Sequence, residues 1–136
     1  MTSEVLAEVG AELDPLRLAG ISRTTLALFA GASGDHNPIH IDIDVAQSAG
    51  LADVFAHGML SMAYLGRILT NWVPPESIRE YGVRFAAVTP VNSEPTARAR
   101  IVAVDTVDGE ARATLSLTVT LADGTVTLSG DAVVAI

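Results

Sequence analysis

The residues best suited to chemistry stand together in one short segment, GASGDHNPIHID, which spans residues 31–42. One carboxylate and one imidazole of this segment, those of Asp35 and His40, are five residues apart with Pro38 between them. Histidine titrates near neutral pH and a neighbouring carboxylate can tune it, so such a pair suits proton transfer. Proline disfavours helical backbone at Asn37, which predicts an irregular stretch over residues 33–39. We therefore expect Asp35 and His40 to converge on one small molecule such as water.

Residue types alone leave an ordinary interpretation open, because Asp and Asn commonly stabilise turns with their own backbone. We expect His36 to be exposed and Asp42 to be structural. A metal site is disfavoured, since the spacing of the two histidines and two aspartates matches no helical or hairpin ligand motif and the chain has no cysteine.

A second informative segment, FAHGML, covers residues 55–60 at the predicted start of a helix. The first N–H groups of a helix lack intrahelical partners, so they suit a developing negative charge such as that on a carbonyl oxygen. Gly58 would let a ligand approach closely. The alternative is an ordinary helix start with His57 as a packing residue. Ser61 and Tyr64 are expected at the edge of the core.

Helices and strands must position these segments. Ser22 is a good N-cap for a helix over residues 23–32, and a short helix is expected over 44–49. Apolar residues surround most of a helix predicted over 57–72, which indicates a central helix buried on nearly all sides.

The rest of the chain changes to the two-residue period of strands. The predicted strands cover residues 79–88, 97–104, 111–121 and 125–135. Asp108-Gly109 and Asp123-Gly124 are hairpin signals between them. We therefore expect an α+β fold in which an antiparallel meander curls around the central helix.

The composition of the chain excludes several classes of function. The 136 residues suit a single domain, and 49% of them are apolar. All 8 cations are arginine against 16 acidic residues, which argues against nucleic acid or an anionic membrane as a partner and excludes lysine chemistry. The start MTSEVLAEVGAELD resembles no targeting peptide, and the most apolar stretch, residues 58–73, is too short and polar to span a bilayer. Without cysteine, a reduced cytoplasm is expected.

SGDHNPIH at residues 33–40, followed by AHGML at 56–60, resembles the hydratase motif of the MaoC-like dehydratases and (R)-specific enoyl hydratases. The resemblance implies one hotdog domain over residues 1–136 and reversible syn addition of water to a trans-2-enoyl thioester, giving the (3R)-hydroxy product. It implies no metal and no other cofactor. By this resemblance Asp35 and His40 hold the water and exchange its proton with C2, Asn37 orients the loop, and the Gly58 amide polarises the thioester carbonyl beside His57.

The same resemblance implies an acyl-ACP or acyl-CoA substrate and a dimer, made either with a second copy or with a different hotdog subunit. Many homodimeric members have serine where this chain has Gly66. That departure favours a dehydratase of type II fatty-acid elongation over a homodimeric enoyl-CoA hydratase of β-oxidation or polyester supply. A non-catalytic partner subunit that shapes the acyl tunnel is a further alternative, although it predicts a broken Asp–His pair. A hotdog thioesterase needs a carboxylate on the central helix, and residues 57–72 have none.

Two surface features complete the expectations. The family's usual turn after Pro90-Val91 is replaced here by Asn92-Ser93-Glu94, and we expect the turn to survive because asparagine tolerates the left-handed conformation. A local cationic patch is needed to recognise an acidic carrier despite the net charge of −8. The candidate arginines are Arg67, Arg79, Arg84, Arg98, Arg100 and Arg112.

Overall fold

The computed structural model describes residues 7–136, so the first six residues of the N-terminal segment lie outside the described part. The helices are α1 (Arg23–Ser33), α2 (Ile43–Ser48) and α3 (Gly58–Thr70), with short 3₁₀ turns at Pro38–His40 and Pro75–Ser77. The strands are β1 (Leu16–Arg17), β2 (Ile78–Phe85), β3 (Thr96–Val107), β4 (Glu110–Thr120) and β5 (Val126–Ala135). These bounds confirm the predicted helices and strands to within about three residues at each end.

The five strands form one antiparallel sheet in the order β1-β3-β4-β5-β2, and α3 packs on one face of it. Apolar residues alternate along β3 and β4, so one face of each strand points at the helix. The main core lies between α3 and this face and includes Leu65, Leu69, Ile101, Leu115 and Leu117. A helix held in a curled antiparallel sheet is the hotdog arrangement, and the α+β expectation is confirmed.

One part of the predicted topology is wrong. Strands β3, β4 and β5 form the expected meander, but β2 does not continue it, because it pairs with β5 rather than with β3. The connection from β2 to β3 carries Pro90 and Pro95 and has no two-residue hairpin signal. It therefore passes the positions of β5 and β4 to reach β3, which lies between β1 and β4, and β2 becomes an edge strand.

The expected burial of the central helix is also wrong for a single copy of the chain. Helix α3 buries one face, formed by Leu60, Ser61, Leu65, Ile68 and Leu69. The opposite stripe is exposed, and Met59 has 58% of its surface accessible. The sheet covers only one side of the helix, so within residues 7–136 nothing covers the Met59 side chain on the other side.

The turns follow their sequence signals. Asp108 and Gly109 both adopt positive φ, 52° and 79°, as a tight two-residue hairpin requires. Asn92 has φ 67°, so the altered turn after Pro90 keeps the left-handed conformation that we expected. No helix within residues 7–136 has the length and apolar character that a membrane crossing requires.

The end of the β3–β4 hairpin carries an ion-pair cluster with a measurable consequence. Arg79 and Arg112 both donate to the Glu110 carboxylate and lower its pKa from 4.5 to about 2. As the pH falls, Glu110 takes up its proton at a higher pH in the unfolded chain than in the folded protein, which favours unfolding. The contribution of Glu110 to the free energy of unfolding is therefore complete above about pH 4.5 and is lost as the pH falls towards 2.

We expect Glu110→Gln to flatten the acid side of the stability–pH curve over that window, as measured by chemical denaturation at a series of pH values. Glu94→Gln is the control, because Glu94 is exposed and forms none of the ion pairs of the described residues. An unchanged curve for Glu110→Gln would contradict the prediction.

Candidate active site

The loop after α1 is built by successive side-chain caps. Gly34, with φ 78°, ends the helix in the left-handed conformation. The Ser33 hydroxyl then accepts from the N–H of Asp35 at 3.1 Å, and the Asp35 carboxylate accepts from the N–H of Asn37 at 3.2 Å. Asn37 in turn caps the 3₁₀ turn by accepting from the N–H of Ile39 at 3.2 Å. Each polar side chain therefore fixes the backbone two residues ahead, which brings the chain round from Asp35 to His40.

The His40 ring is buried, with 8% of the residue exposed, and its tautomer is set by the backbone. Its Nδ1 lies 2.7 Å from the carbonyl oxygen of Phe55. A carbonyl can only accept, so Nδ1 carries a proton, and the acceptor that the ring can offer is Nε2. The ring of Phe55 packs edge-on against His40, with centroids 4.8 Å apart. Asp35 lies on irregular backbone as expected, whereas His40 ends the 3₁₀ turn, so its backbone is not the non-helical one that the proline favoured.

Asp35 and His40 come together as the sequence predicts. A carboxylate oxygen of Asp35 and a ring nitrogen of His40 lie within 4.8 Å of each other. A single water molecule making one hydrogen bond of about 2.8 Å to each group spans such a separation. Asp35 is exposed and His40 is buried, so the pair lies at the boundary between solvent and core.

His57 lies directly beneath this pair. It is 1% exposed, and its ring stacks on that of His40 with centroids 4.0 Å apart and an interplanar angle of 28°. Its Nε2 is 3.2 Å from the backbone carbonyl oxygen of Asp35, so this nitrogen is the donor. Burial lowers the pKa of His57. The ring is therefore a neutral, buried contact of the pair.

The three side chains also place one ligand atom each within 4.8 Å of the others, which is a geometry that could hold a metal ion. Two of the nitrogens are already engaged: Nδ1 of His40 with Phe55 and Nε2 of His57 with Asp35. The remaining nitrogen of His57, Nδ1, is enclosed and has no hydrogen-bond partner. A metal would have to break the His57–Asp35 bond or reach this enclosed atom, so the arrangement favours proton chemistry.

Phe55, which contacts His40 through its carbonyl and its ring, also lines a cavity of about 270 Å³. The full lining is Phe55, Ala56, Gly58, Ser61, Phe85, Ala86, Ala87, Val88, Thr89 and Leu128. Most of this lining is apolar. Gly58 is the first residue of α3, and its N–H belongs to the helix turn that has no intrahelical partners. A Cβ at Gly58 would lie 2.9 Å from the ring of Phe85, so glycine keeps this wall of the cavity open.

Several residues of the cavity have no clear sequence signal. Phe55 contributes a backbone carbonyl, and backbone groups leave no trace in residue types. Phe85 is 52% exposed and reaches Gly58 from the edge strand, a contact that the sheet order creates. Ser61 is 1% exposed with an unpaired hydroxyl, so it lies deeper than the core edge where we expected it.

The other predicted residues near the site are His36, Asp42 and the candidate arginines. His36 is exposed and Asp42 caps α2 by accepting from the N–H of Asp44 at 3.0 Å, as predicted. Two of the candidate arginines, Arg79 and Arg112, are occupied by Glu110. The others form none of the ion pairs found in residues 7–136, namely Arg67, Arg84, Arg98 and Arg100.

Comparison with known proteins gives a consistent result. Residues 4–125 match the family model described as "MaoC like domain". The chain is 31% identical over 124 residues to the 3-hydroxyacyl-thioester dehydratase Z of Mycobacterium tuberculosis, covering 86% of this chain and 82% of that protein. It is 34% identical over 116 residues to the (R)-specific enoyl-CoA hydratase of Rhodospirillum rubrum, covering 84% of this chain and 78% of the relative.

Solved structures share the fold of this chain. The (R)-hydratase from A. caviae involved in PHA biosynthesis superposes with a TM-score of 0.82 at 26% identity, covering 93% of this chain and 95% of the other. The matched region contains both motif segments and the whole of α3. The chain thus belongs to the MaoC-like domain family, with its hotdog fold and its dehydratase or hydratase chemistry, that of a hydro-lyase.

Proposed function

We propose that this chain removes water from (3R)-hydroxyacyl thioesters and, in the opposite direction, adds water syn to trans-2-enoyl thioesters, with Asp35 and His40 as the catalytic residues. The observation that carries the proposal is the separation of the pair: a carboxylate oxygen and an imidazole nitrogen lie within 4.8 Å. Phe55 links His40 to a largely apolar cavity. The named relatives support this reaction class.

The fixed tautomer of His40 supports the proton transfer. Because Phe55 holds the proton on Nδ1, the free acceptor of the ring is Nε2. In hydration, the pair accepts a proton from water as its oxygen bonds to C3, and a proton is delivered to C2 on the same face. In dehydration, the pair takes the proton from C2 and returns it to the departing hydroxyl. Atoms and charge balance without any other reactant.

Gly58 supplies the proposed electrophilic group. Adding water at C3 pushes negative charge onto the thioester carbonyl oxygen, and a preorganised N–H donor stabilises that charge. The N–H of Gly58 stands at the positive end of the α3 dipole, and Gly58 lines the largely apolar cavity proposed to hold the acyl chain. The thioester itself accepts the electrons, so this chemistry needs no cofactor.

The activity can be tested directly with purified protein and trans-2-enoyl-CoA of short and long chain. We expect loss of the enoyl absorbance, formation of the (3R)-hydroxyacyl product and, in D₂O, deuterium at C2 on the face that receives oxygen. A (3S) product or release of free thiol would contradict the proposal. The same assay with acyl-ACP substrates distinguishes the two carriers, and fatty-acid elongation predicts the higher kcat/KM on ACP.

We also propose that the working form is a dimer, made with a second copy or with a different hotdog subunit. Strand β2 lies at an edge of the sheet, so one row of its backbone N–H and C=O groups faces no partner strand from residues 7–136. The exposed side chains of Met59, Phe85 and Val88 are large and apolar. Analytical ultracentrifugation tests the first case. A chain that is monomeric alone and becomes active only with a different hotdog subunit supports the heterodimer.

A further inference from the structure

The geometry points to His57 as a positioning residue that locks the Asp35 backbone and supports the His40 ring, holding the proposed catalytic pair in register with Gly58. This inference deepens the proposed function and rests on it. His57 is 22 residues from Asp35 along the chain, yet its Nε2–H donates to the Asp35 carbonyl at 3.2 Å. It is also the N-cap of α3, immediately before Gly58.

Three contacts define the orientation of the His57 ring. One face stacks on His40 at 4.0 Å, and Phe29 packs edge-on with centroids 4.8 Å apart. The third contact is the hydrogen bond to Asp35. The ring therefore touches helix α1, the Asp35 loop and the 3₁₀ turn at once. Moving it would shift the separation of Asp35 and His40, and misplacement of about 1 Å can cost a reaction roughly 10²-fold.

The two stacked histidines are assigned opposite tautomers. His40 donates its Nδ1–H to the backbone carbonyl of Phe55, whereas His57 donates its Nε2–H to the backbone carbonyl of Asp35. Burial disfavours a charge on His57, and a second charge stacked on His40 would be repelled. His57 therefore stays neutral while His40 exchanges protons, which separates the positioning role from the catalytic one.

The first experiment reads the tautomers by long-range ¹H–¹⁵N correlation spectra of the wild-type protein. The chain has only three histidines, so the single variants His36→Leu, His40→Gln and His57→Gln assign the signals. We expect an Nε2–H tautomer for His57 and an Nδ1–H tautomer for His40. An Nδ1–H tautomer on His57 overturns the inference, whether or not the protein is active.

The second experiment compares His57→Leu with His57→Gln. Leucine fills the space but removes the donor, and we expect kcat to fall by about 10–100-fold with KM changed less than about twofold. Glutamine restores an N–H near the position of Nε2, and we expect most of kcat to return. His36→Leu is the matched control, because His36 is exposed and no hydrogen bond of its side chain is found in the described residues.

Every outcome of this comparison bears on the inference. Equal losses in the leucine and glutamine variants, or no loss in either, overturn it. Where His57→Leu fails to fold, the wild-type tautomer and the glutamine variant decide. A wild-type protein without hydratase activity counts against the proposed function alone, since the tautomers and the backbone chemical shifts of Asp35 in His57→Gln still test the hydrogen bond.

Discussion

Asp35→Asn is expected to lower kcat/KM for hydration of an enoyl thioester by about 10²–10⁴-fold, the range for loss of an acid–base group. Asparagine keeps an oxygen that can accept from the N–H of Asn37, so the loop is retained while the ionisable carboxylate is lost. Asp35 is exposed, and the unfolding midpoint should stay close to that of the wild type. Steady-state kinetics with circular dichroism melting measures both quantities.

The matched control is Asp42→Asn, the same chemical change seven residues away. Asp42 caps α2 by accepting from the N–H of Asp44 at 3.0 Å, and asparagine is an equally good cap. We expect this variant to keep nearly full activity. Equal losses at both positions would show a general loop effect, and full activity of Asp35→Asn would remove Asp35 from the mechanism.

Gly130→Ala is expected to destabilise the fold by about 3 kcal/mol, at the upper end of the cost of overpacking. Strands β2 and β5 approach so closely that a Cβ at Gly130 would lie 2.1 Å from the carbonyl oxygen of Gly82. The oxygen belongs to the paired backbone of β2 and the Cβ is bonded directly to that of β5, so neither atom can turn away as the end of a flexible side chain would. The midpoint of thermal unfolding should fall by roughly 10 °C.

Gly82→Ala tests this explanation on the facing strand. A Cβ at Gly82 meets no heavy atom within 4 Å, so we expect a change of less than about 1 kcal/mol. Urea denaturation at one protein concentration measures both variants, because association would make stability depend on concentration. Similar stabilities for the two alanine variants would contradict the close approach of the strands.

Much of the fold is encoded locally and can be predicted for that reason. Ser22 caps α1, and Asp108 with Gly109 turns the β3–β4 hairpin, because each acts through its own backbone neighbours. The position of β2 beside β5 is different. It depends on which sheet edge accepts a strand after a ten-residue connection, and no residue in that connection specifies the edge.

The candidate site also combines residues that the sequence predicts with contacts that it does not. Asp35 and His40 could be predicted because a proline turn brings residues close in sequence together. The contacts of His57 could not, because they join the start of α3 to two other elements and depend on tertiary packing. The exposure of Met59 also follows from packing, since the sheet covers only one side of α3.

The anchoring of both buried histidines to backbone carbonyls has a consequence for evolution. The acceptors are the main-chain oxygens of Phe55 and Asp35, so no change of side chain at residue 55 can delete the acceptor that sets the tautomer of His40. What selection must preserve is the path of the chain, which many sequences can follow. The side chain at residue 55 is then free to change without removing the carbonyl that accepts from His40.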